Sequence, residues 1–443
     1  MASKAAQAQI PPALPSFPPK PSPLTIEARK ADLRIRPEPA PATPIWSYNG
    51  GCPGPVIRVK QGEDIAVRLA NKLEETTSIH WYGLRTEAAL DGVAGLSSKG
   101  AGPGETIDIR LPARDAGTYL YQPCVAGRTA EQVDRGLYGV LIVEERTPPQ
   151  VDKDILVVID DWRLGEDGAI PAPAKPEPGA LPRLGNVLVI NGAPKAFEDT
   201  IPTGGRARVR VVNASTARIL TLRFEGVPAT IVAIDGQPSS TAFQPKGAAA
   251  ILTPNGRADL MIDLPGDAGQ QFALKVQITP EVAVPAFILK SAGDRRAALP
   301  PIAALPPNDL PKILDLARAQ RVDLTIEGGP QPQGKPTAWT LNRRTGPVFG
   351  GPALFSAKRG TTMVLSFHNK TEIAQAMRIH GHHGRLLFVL DDGWDPFWVD
   401  TALVQPGLTA RLVFVADNPG KWALRSAMAD LFDAGLGGWF EVL

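Results

Sequence analysis

Apolar and polar residues alternate through much of this chain. Ile65, Val67 and Leu69 alternate with Ala66 and Arg68; Ile107, Ile109 and Leu111 with Asp108 and Arg110; Ala207, Val209 and Val211 with Arg206, Arg208 and Arg210. A period of two sets one row of side chains on a core and the other toward water, the mark of a half-buried β-strand. Many such strands at short spacing predict all-β sandwiches with Greek-key connections. The 45 prolines and 43 glycines among 443 residues fit many short strands and turns better than long helices. One short helix is expected near Leu310–Ala319.

The pattern also repeats. Asn49-Gly50 is followed by a turn glycine at Gly62 and a strand ending at Asn71; Asn191-Gly192 by Gly204 and Asn213; Asn342 by Gly360 and Asn369. The glycine-to-asparagine step is nine residues each time. A self-similar period of roughly 140 to 150 residues reads as a triplicated domain. The expected domains span 24–146, 150–290 and 321–443, with 291–320, which holds five prolines, as a connector. Residues 1–23 carry seven prolines and few large apolar groups, so they are expected to form a flexible arm.

Composition excludes more than it proposes. A net charge of +2 demands neither nucleic acid nor an acidic surface as partner. No apolar run reaches membrane-span length. Residues Ala5–Gln9 read as the tail of a cleaved export signal, which favours an exported, periplasmic protein over a cytoplasmic one. The two cysteines, Cys52 and Cys124, permit one disulfide or two free thiols, and the sequence leaves both open. There is no Ser-His-Asp order, P-loop or dinucleotide fingerprint.

Several motifs recur in a fixed order. His80-Trp81-Tyr82-Gly83 follows a strand end, Gly117-Thr118-Tyr119 leads to Gln122-Pro123-Cys124, and Arg135-Gly136-Leu137 precedes an apolar run to Val143. The third repeat holds Gln375-Ala376-Met377-Arg378-Ile379-His380-Gly381-His382, then Trp398-Val399-Asp400-Thr401, and later Asn418-Pro419-Gly420-Lys421-Trp422 before Arg425-Ser426-Ala427. In order and spacing, nearly the whole chain after residue 24 resembles the multicopper oxidases. The resemblance implies three cupredoxin-like Greek-key β-sandwich domains in one chain. It also implies a set of histidines and one cysteine holding copper, for which neutral imidazole and thiolate are suited.

Those ligands are largely missing. Of the eleven positions where the family's ligands fall, only His80 and His380 remain. Tyr82, Gln122 and Cys124 stand at the others in the first domain, and Gln375, Arg378, Arg425, Ser426, Ala427 and Leu431 in the third. Gln375, Ser426 and Leu431 replace the strong ligands of the electron-accepting copper, and Leu436 takes the weak axial position. The chain has five histidines in all, too few for the family's set. A guanidinium is always protonated and offers no lone pair, so Arg378 and Arg425 oppose a copper ion.

The expectation is therefore a chain that is not a working oxidase and holds no cofactor. It resembles the FtsP-type copper-free cell-division proteins, most visibly in Arg128–Val133. That resemblance implies a monomer with a structural or binding role toward protein partners in the bacterial envelope, in division or under stress. The alternative is a divergent oxidoreductase or metal carrier with a reduced metal site, copper included, built from His80, His380 and Cys124 where domains one and three meet. Smaller expectations accompany these. Asp91 is read as a turn former, His368 as a surface residue, and the run His380, His382, His383 as inert family residues able to pick up nickel or zinc. Arg378 and Arg425 are expected to pair with carboxylates rather than hold an anion, and Trp394 and Trp398 to pack into a core.

Overall fold

The computed structural model describes residues 22–443 apart from 172–176, 268, 298, 332 and 345–346. The expected Pro-rich arm and the export-signal tail thus fall, up to residue 21, outside the described residues.

The described strands form six sheets, two in each third of the chain. In the first third, Leu24–Leu33, Thr43–Tyr48, Asp64–Asn71 and Thr106–Pro112 face a sheet of Ile57–Lys60, Gly139–Glu144, Gly117–Gln122 and His80–Tyr82. Ile26, Ile65, Val67, Tyr121 and Leu141 pack between them. The second sandwich encloses Val157, Val209, Leu222, Leu260 and Phe287. The third encloses Leu324, Leu365, Met377, Leu424 and Phe440. No helix among the described residues is long and apolar enough to cross a membrane.

The asparagine repeat has a physical cause. Asn49, Asn191 and Asn342 all adopt positive φ, which asparagine tolerates better than most residues. Each then ties its turn to the first strand of its sandwich: Oδ1 accepts from the backbone N–H of Glu27, Val158 or Thr325, and Nδ2 donates to the carbonyl of Thr25, Leu156 or Asp323. Asn71, Asn213 and Asn369 end the strands that run parallel to those first strands. Each is buried, and its Oδ1 accepts from the backbone N–H two residues on, in Leu73, Ser215 and Thr371.

Two expectations fail here. The arginine row of Arg206–Asn213 does not face water. Arg208 bonds Asp259 at 2.6 Å and Glu145 at 2.8 Å, and Arg210 bonds Asp154 and Thr118, so this face is the polar seam between the first and second sandwiches. The alternation located the strand; a second domain covers the side that would otherwise be wet. No helix forms over Leu310–Ala319 either. Only a 3₁₀ turn at Leu316–Arg318 appears, with Asp315 accepting from the N–H of Arg318. The connector just before it is instead tied to the first two sandwiches. Asn308 bonds Ala116 and Gln237, while Arg85 donates to the carbonyl of Asp309.

All three sandwiches meet beside two short helices, Thr129–Asp134 and Ala429–Asp433. Arg183 of the second sandwich reaches Asp134 at 2.6 Å and Asp430 at 2.9 Å, and Asp433 accepts from the N–H groups of Gly127 and Ala130.

Candidate functional site

The motif residues converge on the seam between the first and third sandwiches. His80 opens the strand His80–Tyr82 and lies opposite Gln122 in the ladder. His380 directly follows the strand Gln375–Ile379, on which Arg378 pairs in register with Arg425. Side chains two apart on a strand share a face, so Tyr82 joins His80, and Arg378 joins His380.

The two imidazoles stack with centroids 4.2 Å apart and planes 17° from parallel. Asp91, 1% exposed, lies against both. Its Oδ2 is 2.9 Å from Nδ1 of His380, its Oδ1 is 3.2 Å from Nδ1 of His80, and its backbone carbonyl is 2.6 Å from that same Nδ1. These acceptors set both rings as Nδ1–H donors and make each Nε2 a lone-pair acceptor. Burial lowers both imidazole pKa values, and the Asp91 anion offsets this only in part, so the rings are neutral. Burial would raise the Asp91 carboxyl, but its interactions with His80 and His380 outweigh this and hold it ionised, well below the usual carboxylate range.

Arg425 takes up one of those lone pairs, that of His380. Its Nε donates to Nε2 of His380 at 3.3 Å, its Nη1 to the carbonyl of Ser426 at 2.8 Å, and its Nη2 to the hydroxyl of Tyr82. Its guanidinium lies 4.6 Å from the centre of the Phe432 ring, and that of Arg378 lies 4.4 Å from the centre of Tyr82. Arg378 bonds Asp400 at 3.0 Å, and Asp400 bonds Arg257 of the second sandwich at 2.8 Å. Asp400 stays ionised against burial because Arg257 and Arg378 flank it, whereas burial and the Asp400 charge push the neighbouring Asp235 up to about 7. A continuous polar chain thus runs from Arg257 through Asp400, Arg378, Tyr82, Arg425 and His380 to Asp91 and His80, crossing all three sandwiches.

The structure places the other sequence candidates as follows. Gln122 bonds Asn255, and Gln375 bonds Thr371. Ser426 Oγ accepts from the N–H of Met428, and the backbone of Ala427 bonds Ala376. Leu431 and Leu436 belong to the third core, so apolar packing surrounds the positions that the resemblance implies for an electron-accepting copper. Arg378 pairs with a carboxylate as expected, whereas Arg425 has no carboxylate within ion-pair distance among the described residues. His368 lies at the surface beside Asp323. Trp398 is buried, but Trp394 is 38% exposed, with Arg385 over both rings.

Three readings are corrected, and one left open is decided. Asp91 is no mere turn former but the shared acceptor of two histidines; Asp-Gly favours a turn in any context, and only folding brings His380 to it from 289 positions away. Among the described residues, the three ligand atoms lying within 4.8 Å of one another belong to His80, Asp91 and His380, and Cys124 is not in that group. Cys124 packs with Val93, Val348 and Phe432, and burial pushes its thiol up to about 11. Cys52 is in a different core, beside Tyr138 and Trp162, so the two cysteines are free thiols and no disulfide joins them. His382 and His383 are buried too, one among Phe414, Trp422 and Phe440 and the other on the carbonyl of Asp235, so the run presents no surface chelate for nickel or zinc.

The donor set does not fit a copper cluster of the family's kind. Two imidazoles remain, one of whose lone pairs already accepts from a guanidinium, and two fully buried arginines border them. Tyr82, Arg378 and Arg425, each 1% exposed or less, fill the space between the sandwiches that a carrier would need.

Three two-sheet sandwiches meeting at a histidine-bearing seam define a cupredoxin-like protein of the oxidase type. The chain belongs to the multicopper oxidase family. That family's pattern matches residues 31–148 and 318–443. Multicopper oxidase MmcO of Mycobacterium tuberculosis is 26% identical over 442 residues, covering 89% of this chain and 84% of that one. The solved structure of Lac15 from a marine microbial metagenome is 33% identical with a TM-score of 0.78, over 95% of this chain and 100% of the other. A multicopper oxidase from Pseudomonas parafulva is 28% identical with a TM-score of 0.82, at the same coverage.

Proposed function

We propose that this chain is a copper-free member of its family, with a structural or binding role toward protein partners in the bacterial envelope, in the manner of the FtsP-type division proteins. The observation that carries this is Arg425. Its guanidinium sets a fixed positive charge against the His380 imidazole and consumes that ring's Nε2 lone pair. With Ser426 and Leu431 at the electron-accepting position, no thiolate is available there for a copper to take electrons through.

The test is metal content and a visible spectrum of tag-free protein after copper loading under reducing and then oxidising conditions. Strongly substoichiometric copper without blue absorption is expected; stoichiometric copper with a blue band would overturn the reading. The alternative, a single residual metal site, is favoured by one observation: Nε2 of His80 is buried and has no hydrogen-bond partner. One ion per chain, lost in His80→Ala and His380→Ala, would establish that site. Fractionation of the native host tests the envelope assignment, and recovery in the cytoplasm would refute it.

A further inference from the structure

A cleft of about 750 Å³ opens between the second and third sandwiches, with Asp235 and Thr401 in its lining beside one end of the polar chain. Ile231, Ile234, Phe243, Leu386, Phe397 and Leu403 supply most of its apolar wall. Four strands along it, Gln237–Phe243, Ala249–Leu252, Arg385–Leu387 and Thr401–Val404, are each the last strand of their sheet. A terminal strand leaves a row of N–H and C=O groups outside any ladder.

Three of these edges are already occupied or covered. Ser240 donates from both N and Oγ to the carbonyl of Pro396, at 2.7 and 2.9 Å, and Phe243 stacks on Phe397 at 5.8 Å. Arg385–Leu387 is flanked by bridges from Gly384 to Val399 and from Leu387 to Trp394. Thr401–Val404 is mostly buried. Ala249–Leu252 pairs only with Leu220–Gly226, and Ile251 on it is 54% exposed.

Beside the cleft, the segment from Leu387 to Trp394 forms an apolar lip. Val389 is 82% and Leu390 97% exposed, next to half-exposed Phe388 and Trp394. The lip is held in place: Arg411 bonds Asp392 at 2.6 Å and the carbonyl of Phe388, and the N–H of Phe388 bonds Gly393 at 2.7 Å. A contiguous apolar patch presented on a braced hairpin marks an interaction site.

We propose that this cleft binds an extended apolar segment of a partner protein, which adds as a strand to the edge of Ala249–Leu252 and lays alternate side chains on the lip. This names the partner's chemistry for the binding role proposed above and rests on that reading. The cleft already takes one main-chain bond at a sheet edge, since the Pro396 carbonyl accepts from the N–H of Ser240 in Gln237–Phe243. A compact small molecule in the cleft would leave Val389 and Leu390 bare. Asp391 and Asp395 have no ion-pair partner among the described residues, which disfavours an anionic lipid surface and favours a segment with Lys or Arg beside its apolar core. Lys246, on the opposite wall, is the cation of the lining. Strand addition takes affinity from main-chain bonds and specificity from alternate side chains.

The test selects random twelve-residue peptides displayed on phage against the full chain, then measures the synthetic winners by fluorescence polarisation. Winners are expected to alternate apolar and polar residues near a Lys or Arg. They should lose at least about tenfold in affinity, on the order of 1.4 kcal/mol, against Ile251→Lys and against the pair Val389→Asp with Leu390→Asp. All three positions are exposed, so the variants fold. Failure to enrich any peptide, or winners indifferent to both variants, would overturn the proposal. So would self-association in sedimentation that Val389→Asp with Leu390→Asp abolishes, or flotation with anionic vesicles. Copper content is measured separately, so a metal-loaded chain that still binds peptide fails the copper-free reading alone.

Discussion

Replacing Asp91 with Asn tests the polar chain at its most loaded point. The substitution keeps shape and volume, so no cavity term enters. It removes a buried anion and turns one of two acceptors into an N–H donor facing an imidazole N–H. The contacts at risk are those at 2.9 Å to His380 and 3.2 Å to His80. Hydrogen bonds to a charged group contribute about 1.5 to 3 kcal/mol each. A loss in that range is expected, read as the shift of the first urea transition at pH 7 followed by tryptophan fluorescence, with buried Trp81 and Trp422 reporting on the first and third sandwiches. Because folding depresses the Asp91 pKa, its stabilisation is present above the unfolded value of about 3.9 and lost as pH falls through and below it. The gap between native and variant should therefore close in acid. A loss under about 1 kcal/mol at pH 7 would refute the claim that this carboxylate anchors the two histidines.

Arg425→Ala frees Nε2 of His380 beside the unpartnered Nε2 of His80. It is expected to gain one zinc ion per chain by calorimetry where the native chain takes none; equal behaviour of the two would show that Arg425 does not keep a cation off these atoms. Both thiols are buried and held well above the usual thiol range by that burial, Cys124 at about 11 and Cys52 higher. Ellman's reagent should therefore react with neither in native protein and with both in denaturant without reductant; a requirement for reductant would mean a disulfide exists. Burial holds His383 down to about 4, against about 6.5 unfolded, so its contribution is complete above about pH 6.5 and is lost as pH falls toward 4. His383→Gln keeps the bond to the Asp235 carbonyl, and between pH 7 and pH 5 it should lose about 2 kcal/mol less stability than the native chain; parallel pH profiles would refute the buried neutral imidazole.

The sequence alone carried the architecture. Local rules act within each strand and turn, so the alternation of Ile65 to Leu69 and the asparagines of the three repeats marked strands and corners before any contact was known. It also set the expectation that copper ligands are lost, because residue type decides whether a lone pair exists, and Arg378 and Arg425 have none to offer. What it misjudged or left open depends on neighbours distant in the chain. Arg206, Arg208 and Arg210 alternate like a wet face, yet another sandwich and its carboxylates cover them. Asp91 reads as a turn residue, yet it joins histidines from two sandwiches. Cys52 and Cys124 were free to pair on paper, and separate cores keep them apart. The cleft beside Ala249–Leu252 had no local signature, since its walls come from two sandwiches and exist only once both have docked. Backbone pattern and ligand chemistry are properties of single residues and short segments. Burial, protonation and an open sheet edge are set by what the rest of the fold places beside them.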